Sequence, residues 1–212
     1  TARERGYIDA VSELYSAEAV DQRTRMLAYR DAMAKVAEAN PDDTEASIFY
    51  ALAIAAAASP ADKTYADLLK AGAILEPIAK SQPDHPGVSH YIIHSYDVPS
   101  LANKAIDAAW CYSGIAPEVP HALHMPSHTF TRLGLWQASI EANIASGAAA
   151  KRDRSTAEEL HALDYRMYAY LQTAQDAAAR AIHADLPDVR ARFDPDAIGS
   201  AAPGSAGVFA LN

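Results

Sequence analysis

Eight histidines occur in the 212 residues, and five of them fall between positions 90 and 128. His90 and His94 are four apart, as are His124 and His128. On a helix that spacing puts both rings of a pair on one face, one turn apart, where they can reach a single point. Imidazole pairs of this kind are a common way to hold zinc, copper or iron. His121, three residues before His124, points the same way, and Asp97, three after His94, can ligate or orient a ring from behind. His161 and Asp164 lie together further along, and Tyr91 and Tyr165 offer phenolic hydroxyls and aromatic walls. The pattern therefore predicts a transition-metal site on His90, His94, His124 and His128, the two pairs converging on one ion or holding two. His121, Asp97, His161, Asp164, Tyr91 and Tyr165 are further ligand-binding residues, and no catalytic residue is assigned.

The two pairs repeat at a fixed offset. Shifted by 34 residues, Pro117, Pro120, His124 and His128 fall on Pro83, Pro86, His90 and His94. A period near 34 is that of the tetratricopeptide repeat (TPR), a helix–turn–helix unit that stacks into a solenoid. Helical periodicity predicts helices over 2–15, 22–39, 45–58 and from Asp62 or Thr64 to Lys80, with a kink or fraying at Pro77. Further helices are expected over 87–97, 101–114, 121–133, 136–151, 156–172 and 174–185, with Pro126 bending the backbone and Gly134 supplying a turn. The first helix of each unit lines a concave groove, and Pro86 and Pro120 as unit starts place both His pairs in it. Tyr7, Ile8, Val11 and Leu14 form the expected buried face of the first helix, and Met26, Tyr29, Met33 and Val36 that of the second. The fold class is all-α, a TPR-like α-solenoid of antiparallel helix pairs over 1–186, followed by a Pro/Gly/Ala-rich tail over 187–212.

Composition excludes several function classes. A net charge of −9 argues against a nucleic-acid backbone as partner. No apolar stretch is long enough to cross a membrane. Cys111 is alone, which rules out a disulfide framework or a cysteine zinc site within the chain, and its Ala/Trp/Tyr-rich surroundings make it a small core residue. The start, Thr1-Ala2-Arg3-Glu4-Arg5, has no initiator Met and no apolar leader core, and reads as a mature or trimmed form. Ser127 lies between His124 and His128, but no strand–turn–helix elbow surrounds it. Glycine-rich phosphate loops are also absent from the sequence.

The stretches His85-Pro86-Gly87-Val88-Ser89-His90-Tyr91-Ile92-Ile93-His94-Ser95-Tyr96-Asp97 and Pro120-His121-Ala122-Leu123-His124-Met125-Pro126-Ser127-His128 resemble a bacterial TPR family of largely hypothetical proteins. So do Thr129-Phe130-Thr131-Arg132-Leu133-Gly134-Leu135-Trp136 and His161-Ala162-Leu163-Asp164-Tyr165. The resemblance runs from about residue 1 to 185. It implies the fold and a soluble bacterial protein of cytoplasm or periplasm, but no activity. Because members tend to be longer, it also implies a fragment of a longer repeat protein.

Two functions fit these residues. In one, the groove holds copper, zinc or iron, and an open coordination position allows oxidoreductase or hydrolase chemistry on water or dioxygen. In the other, a non-catalytic scaffold binds a peptide or small polar ligand in the same groove. Acidification weakens metal binding to imidazoles below about pH 6.5 but strengthens anion binding. A purely structural role for the His rows, and pairing into a homodimer through an uncapped apolar end, are further expectations.

Overall fold

The structure is a computed structural model that describes residues 1–15 and 20–193. Among the described residues there is no strand, and the chain divides into two compact units, Thr1–Tyr96 and Asp97–Asn212.

The first unit contains α1 (Ala2–Ser12), α2 (Gln22–Ala39), α3 (Thr44–Ala57), α4 (Ala66–Ser81) and α5 (Pro86–Ser95), each packed on the next. Alternate helices α3 and α5 also touch, the arrangement of stacked helix pairs. Helix α3 is apolar on nearly every side, as its position among α2, α4 and α5 requires, and buries Ala46, Ile48, Ala51, Ala53, Ile54 and Ala57. Tyr29, Met33 and Val36 of α2 are buried as expected, whereas Met26 is only half-buried. Tyr7 of α1 and Leu14 just after it pack against the core, but Ile8 is 67% and Val11 45% exposed, so the expected apolar face is only partly covered.

Starts and stops follow local chemistry. Thr1 and Glu4 form a capping box on α1, and the Asp21 carboxylate accepts from the Thr24 N–H to cap α2. Pro77 does not end α4, which continues to Ser81. His85 caps α5: its Nδ1 accepts from the Val88 N–H, and its Nε2 lies 2.8 Å from Glu45 Oε1.

The second unit opens with a 3₁₀ turn (Ala102–Ala105) leading into α6 (Ile106–Ile115), where one continuous helix was expected. Next come α7 (Pro120–His124), α8 (Pro126–Arg132), α9 (Trp136–Arg152), α10 (Thr156–Gln172) and α11 (Asp176–Arg192). The expected helix 121–133 is thus split at Pro126, whose ring nitrogen has no proton to donate to the preceding turn. Met125 between the halves keeps helical angles (φ −52°, ψ −37°), so the four-residue spacing of His124 and His128 survives. Helix α11 passes through Pro187 to Arg192, beyond its expected end at 185; the rest of the predicted tail, from 194 on, lies outside the described residues. Cys111 is exposed, a correction to its expected place in the core.

One turn type recurs in this unit. Gly134, Arg154 and Ala174 have φ of 71°, 57° and 56°, and each stands two residues before the next helix. The residue after each donates its N–H five positions back: Leu135 to Phe130 O, Ser155 to Ala150 O, Gln175 to Tyr170 O. These are Schellman closures, and only the first has the glycine that a left-handed residue favours.

Candidate metal centre

Helix α9 supports the site. Its residues Ser139, Asn143 and Ser146, at i, i+4 and i+7, form a buried polar row. Ser146 Oγ donates to Pro120 O at 2.8 Å, anchoring the start of α7, and Ser139 Oγ lies 3.0 Å from Thr131 Oγ1 of α8. Between them, Asn143 Nδ2 donates to Ser139 O at 2.7 Å, which leaves Oδ1 to accept from Nδ1 of His124 at 2.7 Å. His124 is wholly buried, and this bond fixes its tautomer with the proton on Nδ1.

His128 is fixed in the same sense by a different group. Its Nδ1 lies 2.9 Å from Asp97 Oδ2, and the other carboxylate oxygen accepts from Arg132 Nε at 2.9 Å. Tyr165 Oη is 3.2 Å from the same Nδ1. With both Nδ1 atoms committed, the Nε2 atoms of His124 and His128 face each other at 3.0 Å. His161 of α10 brings a third ring, its centroid 4.1 Å from that of His124, and one nitrogen from each of the three histidines lies within 4.8 Å of the others. Close contact of α10 with α9 through small residues, Gly147 against Ala162 among them, makes this approach possible. Glu159 at the start of α10 receives a two-pronged bond from Arg192 of α11 at 3.0 and 3.1 Å, which holds these two helices together.

The electrostatics favour neutral rings at His124 and His161. Burial, reinforced by the neighbouring His128, holds His124 well below the ordinary imidazole range and brings His161 down to about 4. Burial alone would raise the Asp97 carboxyl, but His128 and Arg132 hold it below its usual value. Burial pushes the Tyr165 phenol up, so it is protonated at neutral pH.

The remaining predicted residues are distributed between the units. His90 and His94 belong to the first, with Nε2 atoms 3.0 Å apart and centroids at 4.7 Å, and Tyr91 lies against His90 at 5.3 Å. In the second, His121 Nδ1 is 3.8 Å from Glu158 Oε2 and its ring is 6.3 Å from that of His124. Asp164 and Tyr165 line a pocket of about 390 Å³ bounded also by His128, Arg132 and Tyr168. Sequence reasoning missed Asn143 and Arg132. The first was marked only by the i, i+4, i+7 polar row, and the second by nothing more than its four-residue distance from His128.

No protein-family model matches the chain, and no curated protein matches it in sequence. Two solved structures share its fold. MamA from Desulfovibrio magneticus RS-1, residues 41 to the end, aligns with a TM-score of 0.68 at 12% identity over 92% of this chain and 98% of that one. The MamA RS-1 ArsTM double mutant aligns with a TM-score of 0.68 at 13% identity over 92% and 97%. At such identity the likeness carries the fold alone: this chain is an all-α, TPR-like helical repeat protein. No helix among the described residues is long and apolar enough to cross a membrane.

Proposed function

We propose that this TPR-like scaffold binds one zinc or copper ion in its second unit, through His124, His128 and His161. The observation that carries the reading is the engagement of both Nδ1 atoms, by Asn143 and Asp97, which turns two Nε2 atoms toward each other at 3.0 Å. Two ring nitrogens this close need something positive between them, either a shared proton or a cation. Burial disfavours the proton, as the low ranges of His124 and His161 express. A cation leaves all three rings neutral, and zinc–nitrogen bonds of about 2.0–2.1 Å bring ligand nitrogens to a comparable separation. The Asp97–His128 contact is the carboxylate–histidine arrangement that orients metal ligands in general.

Both Asp97 oxygens are occupied, by His128 and Arg132, so it serves better as an orienting group than as a ligand, and an iron site of two histidines and one carboxylate loses support. Three imidazoles are the protein donor set of catalytic rather than closed zinc sites, in which water takes the fourth position. Such a metal lowers the pKa of bound water or polarises an oxygen, which favours hydrolase or oxidoreductase chemistry. The same motifs, with the TPR-like fold, support placing the chain in the bacterial TPR family that carries paired His-x-x-x-His sequences.

Elemental analysis of protein purified without a histidine tag tests this. The expected result is about one zinc or copper per chain, lost in His124→Ala with His161→Ala. His90→Ala with His94→Ala, measured in parallel, reports on the first unit's pair. Wild-type protein that refuses both metals, or a double variant at 124 and 161 that still loads fully, overturns the proposal. A second reading keeps the scaffold and drops the metal: a small polar ligand occupies the pocket beside His128, favoured by the mixed charges that line it.

A further inference from the structure

We infer that the pocket beside His128 takes a small zwitterion of the amino-acid type, with its carboxylate on Arg132 and its ammonium on Asp164. The inference rests on the ligand-binding reading and needs no metal. Arg132 and Asp164 both line the pocket, one cation and one anion, yet they form no ion pair with each other. Arg132 spends only its Nε, on Asp97 at 2.9 Å. Its two Nη groups have no hydrogen-bond partner among the described residues and remain available as a fork for a carboxylate. That Nε bond also aims the fork, because the guanidinium is planar and Asp97 is itself held by His128.

Asp164 makes no hydrogen bond or ion pair among the described residues. Although Asp164 is exposed to solvent, partial desolvation at the pocket wall raises its carboxyl above the usual range, a cost that an ammonium beside it would offset. The rings of Tyr165 and Tyr168 supply apolar wall to the same pocket, and Tyr168 stacks edge-on with Trp136, centroids 5.9 Å apart. A volume of about 390 Å³ sits at the small end of ligand pockets, which suits a single amino acid and not an extended peptide. A plain anion would meet Asp164 and a plain amine would meet Arg132, so only a ligand carrying both charges satisfies the lining.

Calorimetric titration with three probes tests the inference: L-phenylalanine, 3-phenylpropionate, which lacks the amine, and 2-phenylethylamine, which lacks the carboxylate. Each is titrated into chelator-treated and zinc-loaded protein. Phenylalanine should bind tightest in both forms, with about tenfold or greater loss when either charged end is removed. Arg132→Gln should lower phenylalanine to the level of phenylethylamine, and Asp164→Asn to that of phenylpropionate. Arg132→Gln also releases Asp97, so its melting curve is recorded; Asp164→Asn lies at an exposed position and carries the test if the first variant unfolds. If phenylpropionate binds as well as phenylalanine and Asp164→Asn changes nothing, the zwitterion is overturned while a carboxylate-binding pocket stands. Failure of all three probes at millimolar concentration overturns the inference together with the pocket reading. Neither result alters the outcome of metal analysis.

Discussion

Asn143 reaches from α9 to α7 and accepts the Nδ1 proton of the buried His124 at 2.7 Å, while its own amide is tied to Ser139 O. The pair therefore settles which nitrogen of His124 is available, before any ligand arrives. Asn143→Leu is expected to leave a buried N–H unsatisfied and to lower stability by about 1–3 kcal/mol. It should also weaken zinc binding by roughly tenfold to a hundredfold, as loss of an orienting partner does. Thermal melts and competitive zinc titration check both. A variant that melts lower yet binds zinc as tightly as wild type would reduce Asn143 to a packing role.

Asp43 provides a pH prediction away from the histidines. Its carboxylate accepts from Arg3 and from Tyr7 Oη, and chiefly through Arg3 it titrates below the usual carboxyl range. Burial and the same Asp43 push the Tyr7 phenol up to about 12. A carboxyl with a depressed folded-state pKa stabilises the protein above its unfolded value, about 3.9, and that contribution disappears as pH falls through the folded value. Asp43→Asn should therefore unfold at lower urea concentration than wild type at pH 7. The gap should narrow as pH drops below about 4. A gap of constant size across that range would mean the charge is not what matters.

Gly72 is where α4 lets Tyr96 in. A methyl group on it would come within 2.6 Å of three atoms of the Tyr96 ring and hydroxyl, and that hydroxyl donates to Glu76 at 2.6 Å. Gly72→Ala is expected to cost about 1–3 kcal/mol as an overpacking change, despite the better helix propensity of alanine. Combining it with Tyr96→Ala should recover part of the loss relative to the sum of the single variants. Strict additivity in urea unfolding would contradict the steric explanation.

Ala174 occupies a left-handed turn position at φ 56°, equivalent to that of Gly134. Ala174→Gly should raise stability by about 1 kcal/mol, because the strain of a Cβ at positive φ is removed. Arg154→Gly should behave alike. A lower melting temperature in both would show that backbone entropy outweighs the strain.

Much of this architecture was legible in the residues. The 34-residue echo of Pro86/His90/His94 in Pro120/His124/His128 announced the repeat, and Gly134 marked a helix end because a residue without a Cβ adopts positive φ readily. The turns at Arg154 and Ala174 carried no such mark, since neither residue type favours positive φ. Ile8 and Val11 have core character but face outward on α1. At the site, spacing of four revealed the pairs because helical geometry is local. Asp97 belonged to His128, 31 residues away, and Asn143 to His124, 19 away, and such pairings come from packing between helices, which a linear pattern does not encode.

The three rings of the second unit come from three separate helices, α7, α8 and α10. A synthetic peptide copying 120–132 would carry the His-x-x-x-His pair but neither His161 nor the acceptors that set the tautomers. Whatever affinity the protein has beyond that peptide is thus a property of its folded state. By linkage, a ligand seen only by the native fold raises the free energy of unfolding as its concentration exceeds its dissociation constant. An ion bound at these rings would then report how well α7 to α11 are assembled, and loosening any one of them would show first as a lost ion.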